Sequence, residues 1–127
     1  MLEALHNRAN YQIAKQMMDV THERHKALAS NIANFENPGY KRIEVARAFQ
    51  AELHKAVAAK DIERIKELRP TLEVDPRNLP ERADGNNVSL ESELLEMNQN
   101  SLRHDFAQQM VSSSIKRLNM AIKGQNM

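Results

Sequence analysis

Cysteine is absent from this 127-residue chain, which excludes disulfide staples and thiolate chemistry and is compatible with an oxidising or a reducing compartment. Tryptophan is absent too, and aromatic residues make up only 4%, so the 41% hydrophobic content is mostly small and aliphatic side chains and Met. Only three glycines occur, Gly39, Gly85 and Gly124, too few and too scattered for a phosphate-cradling loop. No run approaches the roughly 18 apolar residues of a membrane span. The N-terminus also lacks the basic-then-apolar order of a cleavable secretion signal. Eighteen basic and seventeen acidic residues are interspersed and leave a net charge of +1, so no large field exists to draw nucleic acid or an anionic membrane. Composition alone points to a cytosolic protein that binds neither nucleic acid nor lipid directly.

Catalytic patterns are missing as well. No carboxylate pair or nucleophile elbow appears, and no cofactor is implied. His22 and His25 stand three apart on a helical segment, but His22-Glu23-Arg24-His25 is one residue short of the zinc-protease spacing, and exposed helix residues account for it. His6, His54 and His104 are isolated, with His104 best read as a polar helix-seam residue. Lys41-Arg42 could contact phosphate, yet a single dibasic pair is usually a solvated turn. The methionines, Met17, Met18, Met97, Met110 and Met120 among them, suit adaptable packing.

What the chain does contain is helical periodicity. Leu2, Leu5, Ala9, Ile13, Met17, Val20, Ala27, Leu28 and Ile32 predict one amphipathic helix over 1–34, with Arg8, Lys15, Asp19, Glu23 and Lys26 on its other face. A helical middle segment is expected over 45–69: Phe49, Leu53, Ala56 and Val57 share a side, and Asp61 starts a short helix with Ile62, Ile65 and Leu68 inward. Pro70, Pro76, Pro80 and Gly85 make 70–88 an extended connector that admits a brief strand at Thr71 to Asp75. Ser89 caps the last helix, 89–123, whose acidic start (Glu91, Glu93, Glu96) and basic end (Lys116, Arg117, Lys123) suit the macrodipole; 124–127 is left as a tail. Alternating fours and threes from Leu90 give a seam of Leu94, Met97, Ser101, His104, Gln108, Val111, Ile115, Leu118 and Ile122. A second stripe, Leu95, Leu102, Phe106 and Met110, runs beside it. The fold class is all-α, the two long terminal helices pairing as a hairpin or coiled coil.

Two short blocks carry more chemistry than helix punctuation requires. Over 35–44 the chain turns. Pro38 biases Asn37 away from the α region and Gly39 can supply the positive φ of a type II turn, so the first helix ends near Asn34. Around that turn stand Asn31, Asn34, Tyr40 and Lys41. The second block, Asp84-Gly85-Asn86-Asn87-Val88-Ser89, leads into the last helix. Taken singly, Asn31 or Asn34 could equally be a polar residue at a fraying helix end, and Asn34 or Asn37 a left-handed cap.

Together these blocks resemble the flagellar rod and hook family of axial proteins, whose pattern is two Asn residues three apart and then a Thr-Pro-Gly-Tyr-Lys-like turn. Asn37 replaces the usual Thr. Blocks and helices cover about two-thirds of the chain, which within that family looks most like proximal-rod members: a distal rod or hook protein would carry a large β-rich insert. The resemblance implies a motility protein of the bacterial basal body, placed in the periplasmic rod through the flagellar type III export route without a cleaved signal. Implied partners are copies of itself, other rod proteins, the adaptor between rod and membrane ring, and the export gate. It also assigns Asn31 to Lys41 to a turn that leaves the axial helix and meets a neighbouring subunit.

A two-helix hairpin leaves apolar surface over, and helical stacking of copies through heterologous contacts would cover it. The residues expected in packing and assembly are Leu5, Ile13, Met17, Val20, Leu28 and Ile32 on the first helix. On the last they are Leu94, Met97, Leu102, Phe106, Met110, Val111, Ile115, Leu118 and Ile122. The rival reading is a soluble helical adaptor or chaperone that binds one partner helix.

Overall fold

The computed structural model describes residues 2–125. Elements follow in the order α1 (Leu2–Ala33), β1 (Ile43–Val45), α2 (Arg47–Ala58), α3 (Ile62–Glu67), β2 (Leu72–Val74) and α4 (Leu90–Gln125). The fold is all-α in class, with one two-stranded ribbon in which Ile43, Glu44 and Val45 face Val74, Glu73 and Leu72 antiparallel. β1 occupies residues read from the sequence as turn and helix start. Its three residues are held in extended form by Asn31 on one side and β2 on the other. α4 runs through Gly124 to Gln125, past the expected boundary at 123, because a single Gly in a helix costs only about 1 kcal/mol; residues 126 and 127 of the expected tail lie outside the described residues.

α1 and α4 pack antiparallel along their lengths, as cross-links at three levels show. Asn31 bonds Glu93, Thr21 meets Asn100 and His104, and the start of α1 shares a cleft with Arg117 and Ala121. The seam falls on strict heptads, Ala14, Thr21 and Leu28 against Glu93, Asn100, Ala107 and Ser114, all buried. This corrects the sequence-derived phase by one residue on α4. Met97, His104, Val111 and Leu118 are half-buried beside the seam, but Leu94, Ile115 and Ile122 are exposed. Leu95, Leu102, Phe106 and Met120 lie within about 40° of one another on the helical wheel and at least about 80° from every residue of the buried line. They face away from α1, Leu102 being 70% exposed and Met120 72%.

The apolar core is instead in the middle segment. Val45, Ala46, Phe49, Ala56, Ile65 and Leu68 cluster and pack on the second face of α1 through Ile13 and Val20. α1 is therefore the central layer, with α4 on one face and the excursion on the other. Two devices fix the excursion. Asp61 caps α3 by accepting the Arg64 N–H at 3.1 Å, and the buried Gln16 of α1 donates to the Ile65 and Leu68 carbonyls, both at 2.8 Å, at its far end. α2 ends in a Schellman turn, Asp61 N–H to Ala56 O and Lys60 N–H to Val57 O, which forces Lys60 to φ +54°.

Candidate functional site

Where α1 stops, the two sequence blocks dock on each other. The Asn37-Pro38-Gly39-Tyr40 turn closes with Tyr40 N–H on Asn37 O at 3.2 Å, and Gly39 takes φ +77°. Gly85 takes φ +84° in the second block, and the two glycines stack so closely that a Cβ on Gly85 would sit 3.6 Å from the Gly39 Cα. Gly39 N–H donates to Asp84 O at 2.9 Å. Asn86, fully buried, donates through Nδ2 to the Asn34 and Asn37 carbonyls, both at 2.9 Å, and accepts the Val88 N–H. Asn86 thus supplies the partners that the end of α1 lacks. Arg82 donates to Phe35 O and Val88 O, and Lys41 donates to Gly85 O and to Glu81.

Asn31 is the centre of the junction and is 0% exposed. Its Nδ2 donates to Ile43 O at 3.0 Å and to Glu93 Oε2 at 3.1 Å, while Oδ1 accepts Ile43 N–H at 2.9 Å and Tyr40 O–H at 3.0 Å. An amide side chain has two donor hydrogens and two acceptor lone pairs, so every one is satisfied. Asn31 therefore joins α1, β1, the turn and α4 in one set of bonds. The polar groups of its side chain are thus all used within the subunit. Asn34 likewise folds back, its Nδ2 on Ser30 O at 2.8 Å, whereas Asn37, Pro38 and Gly39 are exposed.

Arg42 and Glu93 make the electrostatic half of the junction; the sequence reading of Lys41-Arg42 as a solvated turn is corrected here, because Arg42 is buried. Arg42 is buried among four carboxylates: Nε donates to Glu93 Oε1, Nη1 to Asp75 at 2.8 Å and Glu44 at 3.1 Å, and Nη2 to Glu96 at 2.7 Å. Its backbone N–H donates to Asn87 Oδ1 at 2.7 Å and its carbonyl accepts Asp75 N–H at 2.8 Å. Arg24 and Arg77 complete the cluster on Glu44 and Asp75. Burial works to lower the Arg42 pKa, but the bond to Glu93 and the fields of Glu93, Glu96 and Glu44 outweigh it, and the guanidinium is held charged. Asp75 is lowered to about 2, chiefly by its bond to Arg77. For Glu44, burial pushes the pKa up, and the Val45 N–H with Arg24 and Arg42 more than reverse this. The only signal in the sequence was Glu93 in the first turns of α4, which the helix dipole alone could explain.

Of the histidines, His104 Nδ1 lies 2.9 Å from Thr21 Oγ1, a seam contact. Because the Thr21 hydroxyl also lies 2.9 Å from Met18 O, the bond pattern favours the Nδ1-protonated ring. His22, His25, His104 and Asp105 line one shallow cleft between α1 and α4. Among the described residues no group of three or more His, Cys, Asp or Glu side chains is placed to hold a metal, and no helix is long and apolar enough to cross a membrane. The arrangement is chemically a lock between two helices.

No family model matches the chain. It is 31% identical to the flagellar basal body rod protein FlgB of Aquifex aeolicus (strain VF5), over 87% of this chain and 90% of that protein. Identity is 30% to the flagellar basal body rod protein FlgB of Borrelia hermsii, over 87% of this chain and 93% of the relative, and 27% to that of Buchnera aphidicola, over 90% and 94%. The shared length takes in most of the chain. The chain belongs to the flagellar basal body rod protein FlgB family.

Proposed function

We propose that this chain, a structural subunit of the flagellar basal-body rod and not an enzyme, polymerises helically in the proximal rod and passes torque from the membrane ring to the distal rod and hook. The observation that carries the reading is the uncovered line Leu95, Leu102, Phe106 and Met120 on α4. A long helix with one face on α1 and a second apolar face in water is incomplete as a monomer. Packing between the hairpins of neighbouring copies covers it, and such stripes resist torsion because many contacts must shear together.

The junction supports the same role. It fixes α1 against α4 at one end with bonds that cannot slide, so a twist applied to one helix is carried to the other. Copies of itself, the other rod proteins, the adaptor at the membrane ring and the export gate are the partners in this reading, and the periplasmic rod, reached by type III export without a cleaved signal, is the location. Asn37, Pro38 and Gly39, exposed at the tip of the turn, are open to a neighbour.

Cryo-EM of isolated basal bodies tests the proposal: the chain is expected in several copies in the rod nearest the cell. Recovery only as a soluble complex of one or two chains would overturn it and favour the adaptor reading. A Gly39→Val variant should express normally and fail to build a rod, because a β-branched residue at φ +77° is strongly disfavoured; normal swimming would count against a role for the turn in assembly.

A further inference from the structure

We propose that the groove between the connector and the first turns of α4 receives the α4 tip of a second copy of this chain, so that neighbouring copies meet head to tail. The inference rests on the rod-subunit reading and names the surfaces through which one copy meets the next. The groove is open and encloses about 1050 Å³. Phe35, Leu79 and Pro80 give it an apolar lining, and Glu36, Asp84 and Glu91 border it. None of these three carboxylates is in an ion pair among the described residues. The arginines in the lining are already engaged, Arg42 and Arg77 by carboxylates and Arg82 by two carbonyls. Arg82 keeps its charge, but carboxylates outnumber arginines in the lining by five to three, so the groove offers apolar surface with an excess of negative charge.

The far end of α4 is its complement. After Asp105 the helix has no acidic residue, and Lys116, Arg117 and Lys123 have no ion-pair partner among the described residues. On the helical wheel the exposed Met120 lies between them. Three unpaired cations around an apolar side chain thus meet an apolar lining with excess negative charge, an arrangement that sets register and orientation. The helix dipoles add to it, since the negative end of one α4 meets the positive end of the next. A copy cannot satisfy itself: α4 has 36 residues and is about 54 Å long at 1.5 Å per residue, so its tip is far from its own groove. The contact joins unlike surfaces and leaves a groove free at one end and a tip free at the other, which gives an open chain of copies.

Because the native chain has no cysteine, a Glu36→Cys, Lys123→Cys double variant expressed in the source bacterium is a clean probe. After oxidation of purified basal bodies, a ladder of disulfide-linked multimers of this chain is expected, with none from either single variant. Adding Lys116→Glu and Arg117→Glu should reduce the ladder roughly tenfold, as like charges across an interface repel. Further addition of Glu91→Lys should restore most of it. If the variant is present in basal bodies yet gives no ladder, the head-to-tail contact is overturned and the rod reading stands. Absence of the unmodified chain from basal bodies would overturn the rod reading itself. Cross-linking of the Lys123→Cys thiol only to a different rod protein would overturn the choice of occupant.

Discussion

Arg42 is one cation held by four carboxylates, and the balance of charge around it decides how the junction fails. Removing the guanidinium strands Glu93, which is 1% exposed, without its countercharge and leaves Asp75 with Arg77 alone. Arg42→Met is expected to cost about 3–5 kcal/mol, measured as a drop in urea midpoint, whereas Arg42→Met with Glu93→Leu should recover part of the loss because a buried pair can often be replaced by packing. Equal loss in both variants would mean that Glu93 is held chiefly by Asn31. Acid acts on the same cluster through Asp75. Its folded pKa of about 2 lies below the ordinary aspartate value of about 3.9. Unfolded chains therefore bind more protons in that window, and the stability Asp75 contributes is complete above about pH 4 and lost as the pH falls through about 2. The difference in urea midpoint between the native chain and Asp75→Asn should accordingly narrow from pH 5 to pH 2; a constant difference would contradict the assignment. At this scale the sequence was legible only where the backbone dictates the residue. Pro38 and Gly39 could be read because a turn needs them, whereas the partnership of Asn31, Arg42 and Glu93 spans up to 62 positions and no local pattern announces it.

Among the elements, α2 and α4 each break a local rule. Lys60 ends α2 in the left-handed region without being glycine, at a cost of about 1 kcal/mol. Lys60→Gly should raise the stability by roughly that amount in urea unfolding, its side chain being exposed; an unchanged or lower midpoint would show that Lys60 has a compensating contact. The fault in α4 is more instructive. Its buried heptad line is Glu93, Asn100, Ala107 and Ser114, mostly polar or small, while Leu95, Leu102 and Phe106 point outward. Counting apolar residues therefore locates the wrong face, because periodicity reports which side avoids water and not what covers it. The helices themselves were legible for the opposite reason: long segments without Pro have few alternatives. The short strand β1 was not, since its three residues are extended only through Asn31 and β2.

For the whole molecule, the proposed assembly separates folding from function on different surfaces. Leu102→Glu with Phe106→Glu alters only exposed side chains, so the unfolding midpoint should stay within about 0.5 kcal/mol of the native chain. Incorporation into basal bodies, followed by immunoblot of purified rods, should nevertheless be lost. A variant that incorporates normally would exclude that face from the subunit contacts. The bond between Asn31 and Glu93 has a further consequence in time. Its two ends are 62 residues apart, so a chain growing from the ribosome or threading from its N-terminus has no latch for α1 until the start of α4 has followed. Until that moment Arg42 lacks Glu93 and Glu96. The apolar core and the ribbon, which lie within the first 75 residues, can form before then, and closure of the junction is the event that reports the arrival of the last helix.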